Sequence, residues 1–73
     1  MFTTYRSFYI HGREGDDIGL SIKEHSSYEK AVAYAERYSV GPRFVRVTID
    51  DENGNEIYEL LSNRDLYING KKI

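Results

Sequence analysis

The residues in this 73-residue chain with side chains suited to chemistry are two histidines, His11 and His25, and two acidic clusters, Asp16-Asp17 and Asp50-Asp51-Glu52. Paired carboxylates can serve as general acid and base, but a glycosidase-type pair must face each other across a cleft, and a chain this short offers little room for one. The clusters read instead as solvated loop charge. The stretch TIDDENGNEIYEL, residues 48–60, invites comparison with a calcium loop. Such a loop needs oxygen ligands at positions 1, 3, 5 and 12 and glycine at 6. Setting Gly54 at position 6 puts Ile49 at 1 and Leu60 at 12, both apolar, so two essential ligands are missing. His11 precedes a glycine loop and His25 precedes a helix start, with no metal-ligand spacing between them. The chain has no cysteine, no G-x-S-x-G and no phosphate-cradling glycine motif. No catalytic site, cofactor or metal is expected, and the chain reads as a non-enzyme.

Composition narrows the remaining classes. Ten basic and twelve acidic residues give a net charge of −2, which exerts no general pull on nucleic acid or anionic membrane. No apolar run approaches the ~20 residues of a membrane-spanning helix, and no secretory h-region follows Met1. A soluble, cytoplasmic protein is expected, folded as one domain over residues 1–73. A chain of this length buries only about 60% of the surface its unfolded form exposes, so self-association or a partner would be a natural supplement. Seven tyrosines and no tryptophan are more phenol hydroxyls than a small core can hold. Several should lie at the surface, where tyrosine offers a rigid apolar face and a polar tip.

These residues need elements to position them. FTTYRSFYI, residues 2–10, is aromatic and β-branched and reads as a strand, with Phe2, Thr4, Arg6, Phe8 and Ile10 on one face and Thr3, Tyr5, Ser7 and Tyr9 on the other. Residues 18–24 alternate Ile18, Leu20 and Ile22 with small or polar residues and make a second strand, antiparallel to the first. Ser26-Ser27-Tyr28-Glu29 fits the S-x-x-E capping box, with Ser26 as N-cap. The helix that follows runs to about Ser39, with Tyr28, Ala31, Val32, Ala35 and Tyr38 on one stripe. Gly41 suits the left-handed position after the last turn, and Pro42 prevents continuation. Residues 43–49 form a third strand with Val45, Val47 and Ile49 inward. Asn53-Gly54 suits a two-residue type I′ turn, which pairs Ile49 with Tyr58 and Val47 with Leu60. A three-residue bulged turn would bring Glu59 onto the apolar face, so the two-residue turn is preferred. Asn69-Gly70 either joins a short terminal hairpin or sits between one edge strand and a tail.

The expected architecture is α+β in two layers: an antiparallel sheet of four to five strands, chain order β-β-α-β-β-β, with one helix on one face. The other face then lies bare or meets a partner. It should carry Phe44, Arg46, Thr48, Ile57, Glu59 and Leu61, beside either the Tyr5/Tyr9 or the Arg6/Phe8 set. Apolar residues among charges there suggest an interface, and the acidic loops at 14–17, with Asp16 and Asp17, and at 50–52 could meet a basic cleft of a partner. This docking expectation requires Phe44 to be outside the core. The alternative is nucleic-acid binding through Arg43, Phe44 and Arg46, an aromatic strand with arginines of the kind that stacks bases, although no RNP-like motif is present. A homodimer with no other partner is a third reading.

SSYEKAVAYAERY followed by VRVTIDDENGNEIYEL, a capped helix leading into a hairpin, resembles very small phage-encoded proteins, in particular compact α+β anti-CRISPR inhibitors of type I systems. The likeness spans about residues 20–61 and is one of layout, with no diagnostic residue. It implies a stoichiometric inhibitor that docks on a bacterial defence complex in the host cytoplasm, blocking a nucleic-acid channel or a partner surface. Tyrosine, phenylalanine and arginine would anchor such a contact.

Overall fold

The computed structural model describes residues 1–12 and 17–73. Its elements are β1 (Phe2–Tyr9), β2 (Ile18–His25), α1 (Tyr28–Arg37), β3 (Phe44–Asp50), β4 (Glu56–Leu61), β5 (Leu66–Ile68) and β6 (Lys71–Lys72). The strands form one antiparallel sheet in the spatial order β2-β1-β3-β4-β5-β6. The fold is α+β with a single helix, as expected, but the sheet has six strands rather than four or five, and the chain order is β-β-α-β-β-β-β rather than β-β-α-β-β-β. The extra strand comes from Asn69-Gly70, where both residues adopt positive φ (51° and 81°). That is the backbone a type I′ hairpin turn requires, and it folds β6 back onto β5.

Both β2 and β3 run antiparallel to β1, so the α1 connection between them crosses over β1. The helix can approach closely because Ala31 and Ala35 are fully buried against the sheet. Its N-cap is Ser27, not Ser26: the Ser27 Oγ accepts the Lys30 N–H at 3.2 Å. The reciprocal box with Glu29 is therefore not formed, and the Ser26 hydroxyl instead meets the Lys30 ammonium at 3.1 Å. Starting the helix at Tyr28 sets that ring edge-on to Phe2, centroids 6.0 Å apart. At the other end α1 stops at Arg37, and Gly41 takes φ 91°. The Arg64 guanidinium donates to the Ser39 carbonyl at 2.6 Å, tying the helix exit to the β4–β5 turn.

The core is Ala31, Ala35, Phe44, Val47, Ile49, Tyr58 and Leu60, with Phe2, Val32, Ile57, Leu66 and Ile68 packed around it. The register Ile49↔Tyr58 and Val47↔Leu60 is as expected, yet the turn that produces it is not. The Asp51 N–H donates to the Asn55 carbonyl, the Gly54 N–H donates to the Asp51 carbonyl, and Gly54 alone of the turn residues has positive φ, 82°. This is a three-residue turn with a left-handed glycine. The Asp51 carboxylate selects it by accepting the N–H groups of both Asn53 and Asn55, each at 2.9 Å. The extra residue is taken up at Ile57, where the register shifts between Ile49↔Tyr58 and Asp50↔Glu56. That bulge keeps Glu59 off the apolar face.

Candidate functional site: the bare face of the sheet

Strand alternation sorts the side chains into two sets. The helix side receives Phe2, Thr4, Arg6 and Phe8 of β1, Val47 and Ile49 of β3, and Tyr58 and Leu60 of β4, consistent with the core. The reverse receives Ile18, Leu20 and Ile22 of β2, paired with Tyr9, Ser7 and Tyr5 of β1. Next come Arg46 and Thr48 of β3, then Leu61 and Glu59 of β4, then Tyr67 of β5. No described element covers this second set.

Five of the residues expected at an interface lie together here: Tyr5, Tyr9, Arg46, Glu59 and Leu61. The Arg46 guanidinium pairs with Glu59 at 2.9 Å and with Glu56 at 3.3 Å, holding the charged centre of the face in one arrangement. Thr48, flanked by Tyr5 and Glu59, is buried although it faces outward.

Two expected residues lie elsewhere. Phe44 is only 5% exposed and belongs to the core. The register of β3 on β1 breaks so that Ser7 pairs with Arg46 but Phe8 pairs with Phe44. Val45 is the bulged residue, and the bulge reverses the inside–outside alternation beyond it. Phe44 thus takes the inward place expected of Val45, and the docking expectation, which required Phe44 outside the core, fails as framed; any docking by this face has to rest on other residues. Ile57, on the β4 bulge, packs against the core and lines a recess with Phe2, Tyr28 and Ile68. Asp17 is exposed just before β2, its carbonyl accepting the Ile10 N–H. Asp16 lies outside the described residues.

Sequence reasoning missed the most exposed apolar set. Ile18, Leu20 and Ile22 are 53%, 57% and 59% exposed. Their alternation signals a one-sided strand but not which side, because β1 carries aromatic residues in both of its sets. The decision rests on Gly19, which faces Phe8 across the ladder. A Cβ on Gly19 would fall 2.7 Å from the Phe8 ring. With that ring lying over Gly19 on the helix side, the aliphatic row is turned out.

The residues of the nucleic-acid alternative do not share a surface. Phe44 is interior, and Arg46 is on the bare face between two glutamates. The Arg43 guanidinium donates to the Tyr9 and Ile10 carbonyls at 3.1 and 2.6 Å, fastening β3 to the end of β1. Arg6 lies 5.1 Å from the Phe8 ring centroid and 5.6 Å from that of Tyr38.

The titratable groups are structural in setting. His25 is buried, with Nε2 3.2 Å from the Thr4 hydroxyl and its ring 4.9 Å from Tyr34. Thr4 donates its own proton to the Lys23 carbonyl, so it accepts from His25 Nε2–H. Burial, and secondarily the Lys23 charge, lowers the His25 pKa from 6.5. Burial raises the Tyr58 phenol above 10.0, reinforced by Glu36. Among the described residues no group of three or more His, Asp or Glu gathers in a way that could hold a metal, and no helix is long and apolar enough to cross a membrane. Comparison with protein-family models, curated proteins and solved structures found no match to this chain.

Proposed function

We propose that this chain is a non-enzymatic protein-binding domain that docks through the bare face of its sheet. The observation that carries the reading is the row Ile18, Leu20 and Ile22, each more than half exposed and flanked by Tyr5 and Tyr9. Covering these aliphatic side chains would contribute on the order of 1 kcal/mol each. The tyrosines add rigid contact area, and the Arg46–Glu59 pair supplies a preformed polar centre. This is the composition of an interface, an apolar patch with aromatic and arginine anchors.

Under this proposal the chain is a cytoplasmic inhibitor of phage type, and its target is a bacterial defence complex of the CRISPR effector kind. That finer part is supported by the layout of helix and hairpin alone. Binding of a purified type I effector complex, measured by interferometry after nuclease treatment, is the test. The native chain should bind, and should block target DNA added afterwards to the nuclease-free complex. Tyr9→Ala and Leu61→Asp, on the face but outside β2, should weaken binding at least about tenfold with circular dichroism unchanged. Failure of the native chain to bind would remove the target. Equal binding by the variants would remove the face.

A further inference from the structure

β2 is a long, unbroken sheet edge with one lysine, Lys23, near its end. It is eight residues long and lacks proline, it pairs with β1 without a break in register, and among the described residues no strand pairs with its other side. Natural sheets blunt such edges with brevity, lysine, proline or bulges. The opposite edge is blunted more strongly: β6 is two residues long and both are exposed lysines, where β2 offers eight residues with lysine at Lys23 alone.

The outward backbone groups of β2 can be assigned. The Ile10 N–H donates to the Asp17 carbonyl at 2.9 Å, and bonding alternates along an antiparallel ladder. Residues 17, 19, 21 and 23 therefore direct their backbone groups at β1. Ile18, Leu20 and Ile22 direct theirs at the free edge, while their side chains lie on the bare face.

We infer that a second copy of this chain pairs antiparallel along the β2 edge, with Leu20 on the two-fold axis. In that register Leu20 faces Leu20, and Ile18 faces Ile22 of the second copy, so the whole aliphatic row meets itself. On the helix side Lys23 faces Asp17 of the second copy, and the symmetry makes this opposite-charge pair twice. Gly19 faces Ser21, which raises no steric conflict. Moving the axis to Ser21 would set Ile18 against Glu24 and Asp17 against His25. Moving it to Gly19 would leave Ile22 and Lys23, as well as Glu24 and His25, without a described residue opposite, where the Leu20 register leaves only Glu24 and His25 so. Of these three registers, the one centred on Leu20 sets the whole aliphatic row against itself and Lys23 against Asp17. The contact is isologous and closes on itself, whereas adding β2 to β6 would meet the lysines. Pairing a single strand buries less than the ~1,200–2,000 Å² of a standard interface, so a dimer of roughly micromolar affinity is expected.

The inference draws on the same aliphatic row that carries the docking proposal, but lateral pairing leaves the bare face outward, so the two are tested by different variants. Sedimentation velocity from about 1 µM to 1 mM should show mass rising toward twice the 8.5 kDa of one chain. Synthetic chain carrying N-methyl-Leu20 loses one outward donor while keeping every side chain, and should stay monomeric. Lys23→Glu and Asp17→Lys each place like charges opposite one another and should weaken dimerisation roughly tenfold. The double swap should recover affinity to within about threefold of native. Monomer mass at the highest concentration, a dimer indifferent to N-methylation, or a double swap no better than the singles would overturn the inference. Docking is read separately, from Tyr9 and Leu61.

Discussion

Gly19 shows how one residue sets the polarity of a whole strand. Phe8 crosses the ladder and lies over it, with the Arg6 guanidinium 5.1 Å from the same ring. Any side chain at Gly19 must push that ring away, because 2.7 Å is well inside contact distance. Gly19→Ala should therefore lower stability by about 1–3 kcal/mol, although alanine is the better strand residue by propensity. The urea midpoint checks this, and the shifted Phe8 ring resonances locate the cause. An unchanged midpoint would mean that Phe8 moves freely and does not hold the aliphatic row outward. Arg64 carries strain of another kind. Its φ is 74°, a left-handed value unusual outside glycine, and its side chain is the one that bonds the Ser39 carbonyl. The conformation and the tie to the helix exit come together.

At the scale of elements, what was legible followed from the local rules that apply. Alternation in both strands gave Val47, Ile49, Tyr58 and Leu60 their pairing, while Asn69-Gly70 left a terminal hairpin and an edge strand with a tail both open. The helix was legible to within a residue at its start, since either serine can cap. Bulges were not legible. Nothing in the residue types at Val45 or Ile57 announces an inserted residue, yet each reverses the face of its neighbours, and Phe44 and Ile57 went inward as a result. The Ile57 bulge has a traceable cause in Asp51, whose carboxylate holds the three-residue turn and whose own pKa is lowered chiefly by the Asn55 N–H. With Asp51→Ala, Asn53-Gly54 is free to form the two-residue turn. That turn pairs Glu52 with Asn55 and reaches Ile49↔Tyr58 with no residue to spare. Ile57 should then leave the recess it shares with Phe2 and Tyr28 and turn to the bare face. Nuclear Overhauser contacts from the Ile57 methyls to those two rings are the readout. If they persist undiminished in Asp51→Ala, the carboxylate does not select the turn.

For the whole molecule, the buried titratable groups shape stability against pH. His25 sits where β2 meets the helix start, and its folded pKa is lowered from 6.5, first by burial and then by Lys23. The unfolded chain therefore binds the proton more readily, so stability is fully present above about 6.5 and is lost as pH falls through the folded value. Asp51 acts in the same direction in a lower window, beginning near 3.8. Tyr58 bounds the other side: its pKa is raised above 10.0, so its contribution is intact below 10 and disappears as pH climbs through the folded value. A stability plateau between about 6.5 and 10 follows, falling in acid and in strong base. The acid shoulder is the sharper test because one residue sets it. Urea midpoints at pH 7.5 and 5.0 should differ, with the lower midpoint at 5.0. His25→Gln retains a donor toward Thr4 but does not ionise, and should narrow the difference. The His25 ring protons should titrate below 6.5 in the native chain. A titration at or above 6.5, or a pH 5.0 midpoint equal to that at 7.5, would show that the junction of helix and sheet is open to water, and that the layer over β1 and β2 is looser than its geometry implies.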